Sequence, residues 1–152
     1  MINRRRVLKA LLGAGAGSLL AGLYTWQVEP HWLQFTYPEL PVQGLPQELE
    51  GRTLAQLSDL HVGPQVDDDY IIHSFRRLQE MAPDLVVCTG DWISFRGAQQ
   101  FDQLRRVLAY MPHGRLGNVG ILGNHDYGTS WHRLDVADEI AAIVKNAGVT
   151  ML

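Results

Sequence analysis

Beyond residue 50 the chain alternates between two rhythms of apolar positions. Short apolar runs occur at Leu54-Ala55-Gln56-Leu57, Asp84-Leu85-Val86-Val87-Cys88, Val119-Gly120-Ile121-Leu122 and Val149-Thr150-Met151-Leu152, and each has the length of a strand. Between them lie stretches with a helical period. Asp67–Met81 places Ile71, Phe75, Leu78 and Met81 on one face, opens on capping carboxylates and is stopped by Pro83. A second helix carries Phe101, Leu104, Val107, Leu108 and Met111 on one stripe. A third runs from Leu134 to Ala147, and Gly148 supplies a left-handed cap. Strand and helix alternating in this way predict an α/β fold with parallel neighbours. The continuous β-branched run at 84–88 fits a strand covered on both faces. In such sheets ligands bind outside the carboxyl ends of the strands.

The first 51 residues follow neither rhythm. From Ala10 through Val28 there is no charged residue, and Arg4-Arg5-Arg6-Val7-Leu8-Lys9 precedes this stretch. A basic flank followed by a modestly apolar segment is the layout of an export signal or anchor, and the paired arginines resemble a twin-arginine address. The segment is close to the ~20 apolar residues that a membrane span needs. Ala14-Gly15-Ala16 lies too early in it for a convincing cleavage site. An uncleaved anchor with its basic end in the cytoplasm is therefore the favoured reading. Gly13, Gly15, Gly17 and Gly22 argue against a buried soluble helix, because each weakens a helix in water by about 1 kcal/mol. Residues 29–51 are rich in proline, and Leu33-Gln34-Phe35-Thr36-Tyr37 alternates like an edge strand. The expected domains are thus 1–28 (twin-arginine-like signal or membrane anchor), 29–51 (Pro-rich lead-in with an edge strand) and 52–152.

Charge adds one restriction. The net charge of −3 hides an asymmetry: beyond Lys9 there are nine basic residues against 16 acidic ones. So acidic a domain is a poor partner for a phosphate backbone, and no nucleic-acid binding is expected. Clustered carboxylates suit hard cations better. Cys88 is the single cysteine, which excludes an intrachain disulfide, and it reads as a small buried hydrophobe.

The candidate chemistry sits directly after the strands. Ser58-Asp59-Leu60-His61 follows the first, Thr89-Gly90-Asp91 the second and Gly123-Asn124-His125-Asp126 the third. Asp59 and Asp91 are 32 positions apart, Asp91 and Asn124 are 33 apart, and a strand–helix–strand unit takes roughly 30 or more residues. In an extended segment Asp59 and His61 would point the same way while Leu60 turned to the core. Gly90 would allow close approach of backbone and metal. Asp91 has two oxygens with which to bridge two cations, and Asn124 offers a neutral amide oxygen. His125 could ligate or act as an acid, with Asp126 placed to fix its tautomer. Carboxylate, imidazole and amide ligands together suit Mn, Fe or Zn. Any one of these segments alone would be a turn or surface loop more often than a site. Their order, each after an apolar run, is what makes them specific.

In that order they resemble the calcineurin-like metallophosphoesterase family, whose signature is D-x-H, G-D, G-N-H-[DE], then G-H and G-H-x-H. Ser58–His61, Thr89–Asp91 and Gly123–Asp126 match the first three blocks, and the Arg-led segment with Leu49–Gly63 is similar to a membrane-associated bacterial phosphodiesterase branch. The likeness runs from about Gln34 to Leu152. It implies the N-terminal half of a four-layer αββα sandwich and two divalent ions. By the same likeness Asp59 and His61 bind the first metal, Asp91 bridges, Asn124 binds the second, and His125 protonates or steadies the leaving group. It implies hydrolysis of a phosphodiester, lipid-linked or nucleotide-sugar-lipid, on the outer side of the cytoplasmic membrane. The last two signature blocks have no counterpart here, so the 152-residue chain is expected to be a truncated form, inactive by itself. The alternatives are a non-catalytic membrane-anchored metal-binding or interaction domain, and one half of an enzyme completed by a second polypeptide. His31, His73, His113 and His132 are expected at the surface, and Trp92 and Arg96 either meet substrate or serve packing and loop structure.

Overall fold

The computed structural model describes residues 3–27 and 32–152. The expectation for His31 lies outside them. The chain divides into two compact units, Met1–Leu40 and Pro41–Leu152.

In the first unit, helix α1 spans Arg4–Gln27. Its segment Leu8–Trp26 is long and apolar enough to cross a membrane, by length and composition. Among the described residues of the lead-in, Leu33–Tyr37 forms no strand. The alternation there lacks a ladder partner, and Pro38 and Pro41 remove donors just beyond it.

The second unit holds the sheet. Strands β1 (Leu54–Leu57), β2 (Leu85–Cys88), β3 (Gly117–Gly120) and β4 (Val149–Met151) lie in the order β1-β2-β3-β4, all parallel. Helices α2 (Asp68–Glu80), α3 (Gln99–Leu108) and α4 (Leu134–Asn146) make the three crossovers. Because each crossover joins adjacent strands with the same hand, the helices fall on one face. The burial pattern agrees. Val86, Cys88 and Val149 are buried in a core with Phe75, Leu104, Val107, Ile140 and Val144, whereas Leu54, which shares a row with Leu85 on the other face, is 51% exposed. Among the described residues, then, the expected sandwich is represented by one helical layer and one sheet.

Two details differ from the expected elements. β3 begins and ends two residues earlier than the apolar run at 119–122. The reason is local: the Trp92 indole N–H donates to the Ile121 carbonyl at 2.8 Å, which withdraws that group from the ladder. α3 stops at Leu108, although Met111 beyond its end is still buried. α2 is capped by Asp67, whose carboxylate accepts from the Asp69 N–H at 3.0 Å, and it is left through Ala82 at φ 47°. Gly148 does leave α4 in the left-handed region, at φ 83°.

The lower edge of the sheet is pinned by Asp84, 3% exposed, just before β2. Its carboxylate accepts from the Thr53 N–H (2.9 Å) and hydroxyl (3.0 Å) and pairs with Arg52 (3.3 Å) and Arg115 (2.8 Å). The Thr53 N–H, ahead of the hydroxyl and the two guanidinium groups, holds the Asp84 carboxyl below its usual range.

Candidate metal centre

At the opposite edge, the loops leaving β1, β2 and β3 converge. The first two are zipped together by backbone hydrogen bonds: Asp59 N–H to Gly90 C=O (3.1 Å), His61 N–H to Asp91 C=O (2.9 Å) and Val62 N–H to Trp92 C=O (3.0 Å). Asp59 and His61 do not converge by alternation along an extended chain, as the sequence led us to expect. Both sit in the left-handed region, at φ 54° and 46°, as does Asp91 at 56°. Leu60 between them still turns inward and is 9% exposed. Three such residues in one small region store backbone strain, on the order of 1–3 kcal/mol each, of the kind that gathers at functional sites.

The glycines are fixed by the same crowding. A Cβ on Gly90 would lie 2.5 Å from the Gly123 nitrogen, and a Cβ on Gly123 would lie 2.2 Å from Oδ1 of Asp91. Gly90 therefore admits the neighbouring backbone, where closeness to a metal had been expected. Gly123 leaves room for the Asp91 carboxylate.

That carboxylate is half of the centre. Oδ1 of Asp91 accepts from the His125 backbone N–H at 3.0 Å, and Oδ2 lies 3.8 Å from Nε2 of His61. The same Nε2 is 3.6 Å from Oδ1 of Asp59. Ligand-type atoms of His61, Asp91 and His125 all lie within 4.8 Å of one another. The imidazole rings of His61 and His125 meet edge to face at 4.9 Å. Two ligands bound to one ion at ~2.1 Å are at most ~4.2 Å apart, so the His61–Asp59 and His61–Asp91 separations suit a shared cation. No cation is needed to see that two carboxylates and two imidazoles this close form a donor set for one. Asn124 stands exposed at the head of the short turn His125–Tyr127.

Asp126 is where the structure departs most from expectation. It is fully buried and does not serve the His125 ring. Its Oδ2 accepts from the N–H groups of Asp91 (3.0 Å) and Gly123 (2.8 Å), and its Oδ1 from that of Ile93 (3.2 Å). It ties the third loop to the second. Burial pushes its carboxyl up to about 6, against the pull of the Gly123 and Ile93 N–H groups. Burial likewise raises the Cys88 thiol to about 12, in keeping with a buried hydrophobe. Trp92 is fully buried and serves packing, while Arg96 is exposed. His73, His113 and His132 are exposed and outside the cluster.

Two residues near the centre carried no sequence signal. The Ser94 hydroxyl is 3.1 Å from Nδ1 of His61. Trp131, 54% exposed and at φ 60°, sets its ring 5.9 Å from that of His125. Neither falls in a motif or a period.

A parallel sheet whose strand ends gather imidazole and carboxylate groups defines an α/β protein with a metal-type centre at the carboxyl edge. The chain belongs to the calcineurin-like phosphoesterase family, whose model matches residues 52–148. It is 31% identical over 131 residues to the Bacillus subtilis protein named uncharacterized metallophosphoesterase YkuE, covering 84% of this chain and 46% of that one. It is 30% identical over 115 residues to the UDP-2,3-diacylglucosamine pyrophosphatase LpxG of Chlamydia trachomatis, covering 73% and 35%. With the Danio rerio transmembrane protein with metallophosphoesterase domain it shares 38% identity over 96 residues, 60% of this chain and 21% of the relative. The chain spans less than half the length of each of these curated relatives.

Proposed function

We propose that this protein contributes to metal-dependent hydrolysis of a phosphodiester, through a site that holds two divalent ions. The clustering of His61, Asp91 and His125 at one sheet edge carries this reading. Asp59 and His61 would hold the first ion, Asp91 both, and Asn124 the second, with Mn, Fe or Zn suited to such donors. Bound there, the ions would supply hydroxide at neutral pH and offset the charge that develops on phosphorus. The chain's own part is positional. The His125 N–H fixes one oxygen of Asp91, and its imidazole is the group at hand to deliver a proton to the leaving oxygen. Asp126 acts by holding the loops together.

The substrate we assign is a lipid-linked or nucleotide-sugar-lipid phosphoester. Two observations support it: the apolar helix α1 and the likeness to a pyrophosphatase of UDP-2,3-diacylglucosamine. α1 would serve as signal or anchor, with Arg4 and Arg5 at its cytoplasmic end and the catalytic unit on the other side.

Hydrolysis of bis(p-nitrophenyl) phosphate with Mn²⁺ tests the reaction, for the chain alone and for the chain extended through any downstream reading frame. The expected result is Mn²⁺-dependent turnover that Asp91→Asn reduces to background. Turnover that survives Asp91→Asn, or none in either form, would sink the proposal.

A further inference from the structure

A histidine ligates through a lone pair, and a neutral imidazole has one on only one of its two nitrogens. In His61 the nitrogens face different surroundings. Nε2 looks toward Asp59 (3.6 Å) and Asp91 (3.8 Å), while Nδ1 is 3.1 Å from the hydroxyl oxygen of Ser94. With its proton on Nδ1, donated to Ser94, His61 presents the Nε2 lone pair to the carboxylates, where a cation would lie. The other tautomer would point an N–H there and leave no ligand atom.

Ser94 is held firmly in place to accept the Nδ1 proton. Its N–H donates to the Val62 carbonyl at 3.0 Å, which ties it to the same loop that carries His61. Its own carbonyl accepts from Nε2 of Gln100 at 2.8 Å. Gln100, on α3, is 4% exposed, and its Oε1 accepts from the N–H groups of Arg96 and of Gly97 (3.1 Å). Three loop positions, Ser94, Arg96 and Gly97, are thereby gathered on one buried amide. A Cβ on Gly63 would lie 2.9 Å from Nε2 of Gln100 and 3.2 Å from Cβ of Ser94, so the first loop also leaves space for the pair.

We propose that Ser94, braced by Gln100, is a positioning residue: it holds the Nδ1 proton of His61 and turns the Nε2 lone pair toward the ion shared with Asp59 and Asp91. This rests on the metal-site reading above. The general expectation is that removing such a partner of a metal-binding histidine weakens metal affinity by ~10–100-fold.

Direct titration with Mn²⁺ tests it without any turnover. Ser94→Ala should bind Mn²⁺ ~10–100-fold more weakly than the parent, with metal-free thermal unfolding close to the parent's. Ser94→Thr, which keeps the hydroxyl, should restore the parent's affinity. Ser94→Ala that binds Mn²⁺ as the parent does would overturn the proposal. If Asp91→Asn abolishes Mn²⁺ binding in that same case, the metal reading survives it. A parent that binds no Mn²⁺ overturns both.

Discussion

One buried carboxylate, Asp126, gathers three backbone N–H groups from two loops. Replacing it with Asn leaves a single acceptor oxygen and turns an NH₂ toward at least one of those donors. A buried donor left without its acceptor costs ~1–3 kcal/mol, so Asp126→Asn should lower the urea midpoint of the Pro41–Leu152 unit measurably. An unchanged midpoint would return Asp126 to the role of orienting His125. From the sequence, a carboxylate beside a histidine reads as its partner, because adjacency is all that a motif displays. The residue types Asp59, His61, Asp91 and His125 were legible at their positions for the same reason; what the structure adds is the convergence of His61, Asp91 and His125, with Asp59 beside His61. The route of that convergence was not legible. Left-handed backbone at Asp59, His61 and Asp91 follows from loops zipped together across 30–31 residues, and no local pattern encodes that. Ser94 was equally silent, since its significance lies in one hydrogen bond to a residue 33 positions earlier.

At the level of elements, α2 and α4 end alike, but with different residues. Gly148 takes the left-handed position after α4 without a steric penalty, whereas Ala82 occupies the equivalent position after α2 at φ 47°. Ala82→Gly should therefore raise stability by ~0.5–1 kcal/mol, read from chemical unfolding, and Gly148→Ala should lower it. A destabilised Ala82→Gly would mean that the Cβ contributes more by contact than its backbone costs. The helices and the strands β1, β2 and β4 could be read from apolar rhythm because burial on one face enforces it. β3 was displaced by two residues, since its end is set by the Trp92 indole capturing the Ile121 carbonyl. The alternation at Leu33–Tyr37 had the rhythm of a strand but no partner, and rhythm alone does not supply one.

Across the sheet-bearing unit, the two edges of the sheet do different work. The lower edge is fastened at Asp84. Its carboxyl titrates below the ordinary value of 3.8, so the stabilisation it gives is complete above that pH and is lost as pH falls through the lower native value. Asp84→Asn should accordingly melt at a lower temperature near neutrality, with the gap to the parent closing below about pH 4. A gap independent of pH would assign the effect to packing. The upper edge carries the candidate ligands, and here the order β1-β2-β3-β4 has a temporal consequence. Each strand pairs with the one made just before it, so the sheet can grow in the direction of synthesis without waiting for distant sequence. At ~5–20 residues per second, the ribosome delivers Asp91 roughly 2–6 s after Asp59 and the Asn124–His125 pair a similar interval later. A nascent chain would thus assemble its candidate ligand edge in three instalments, each docking onto a template already in place.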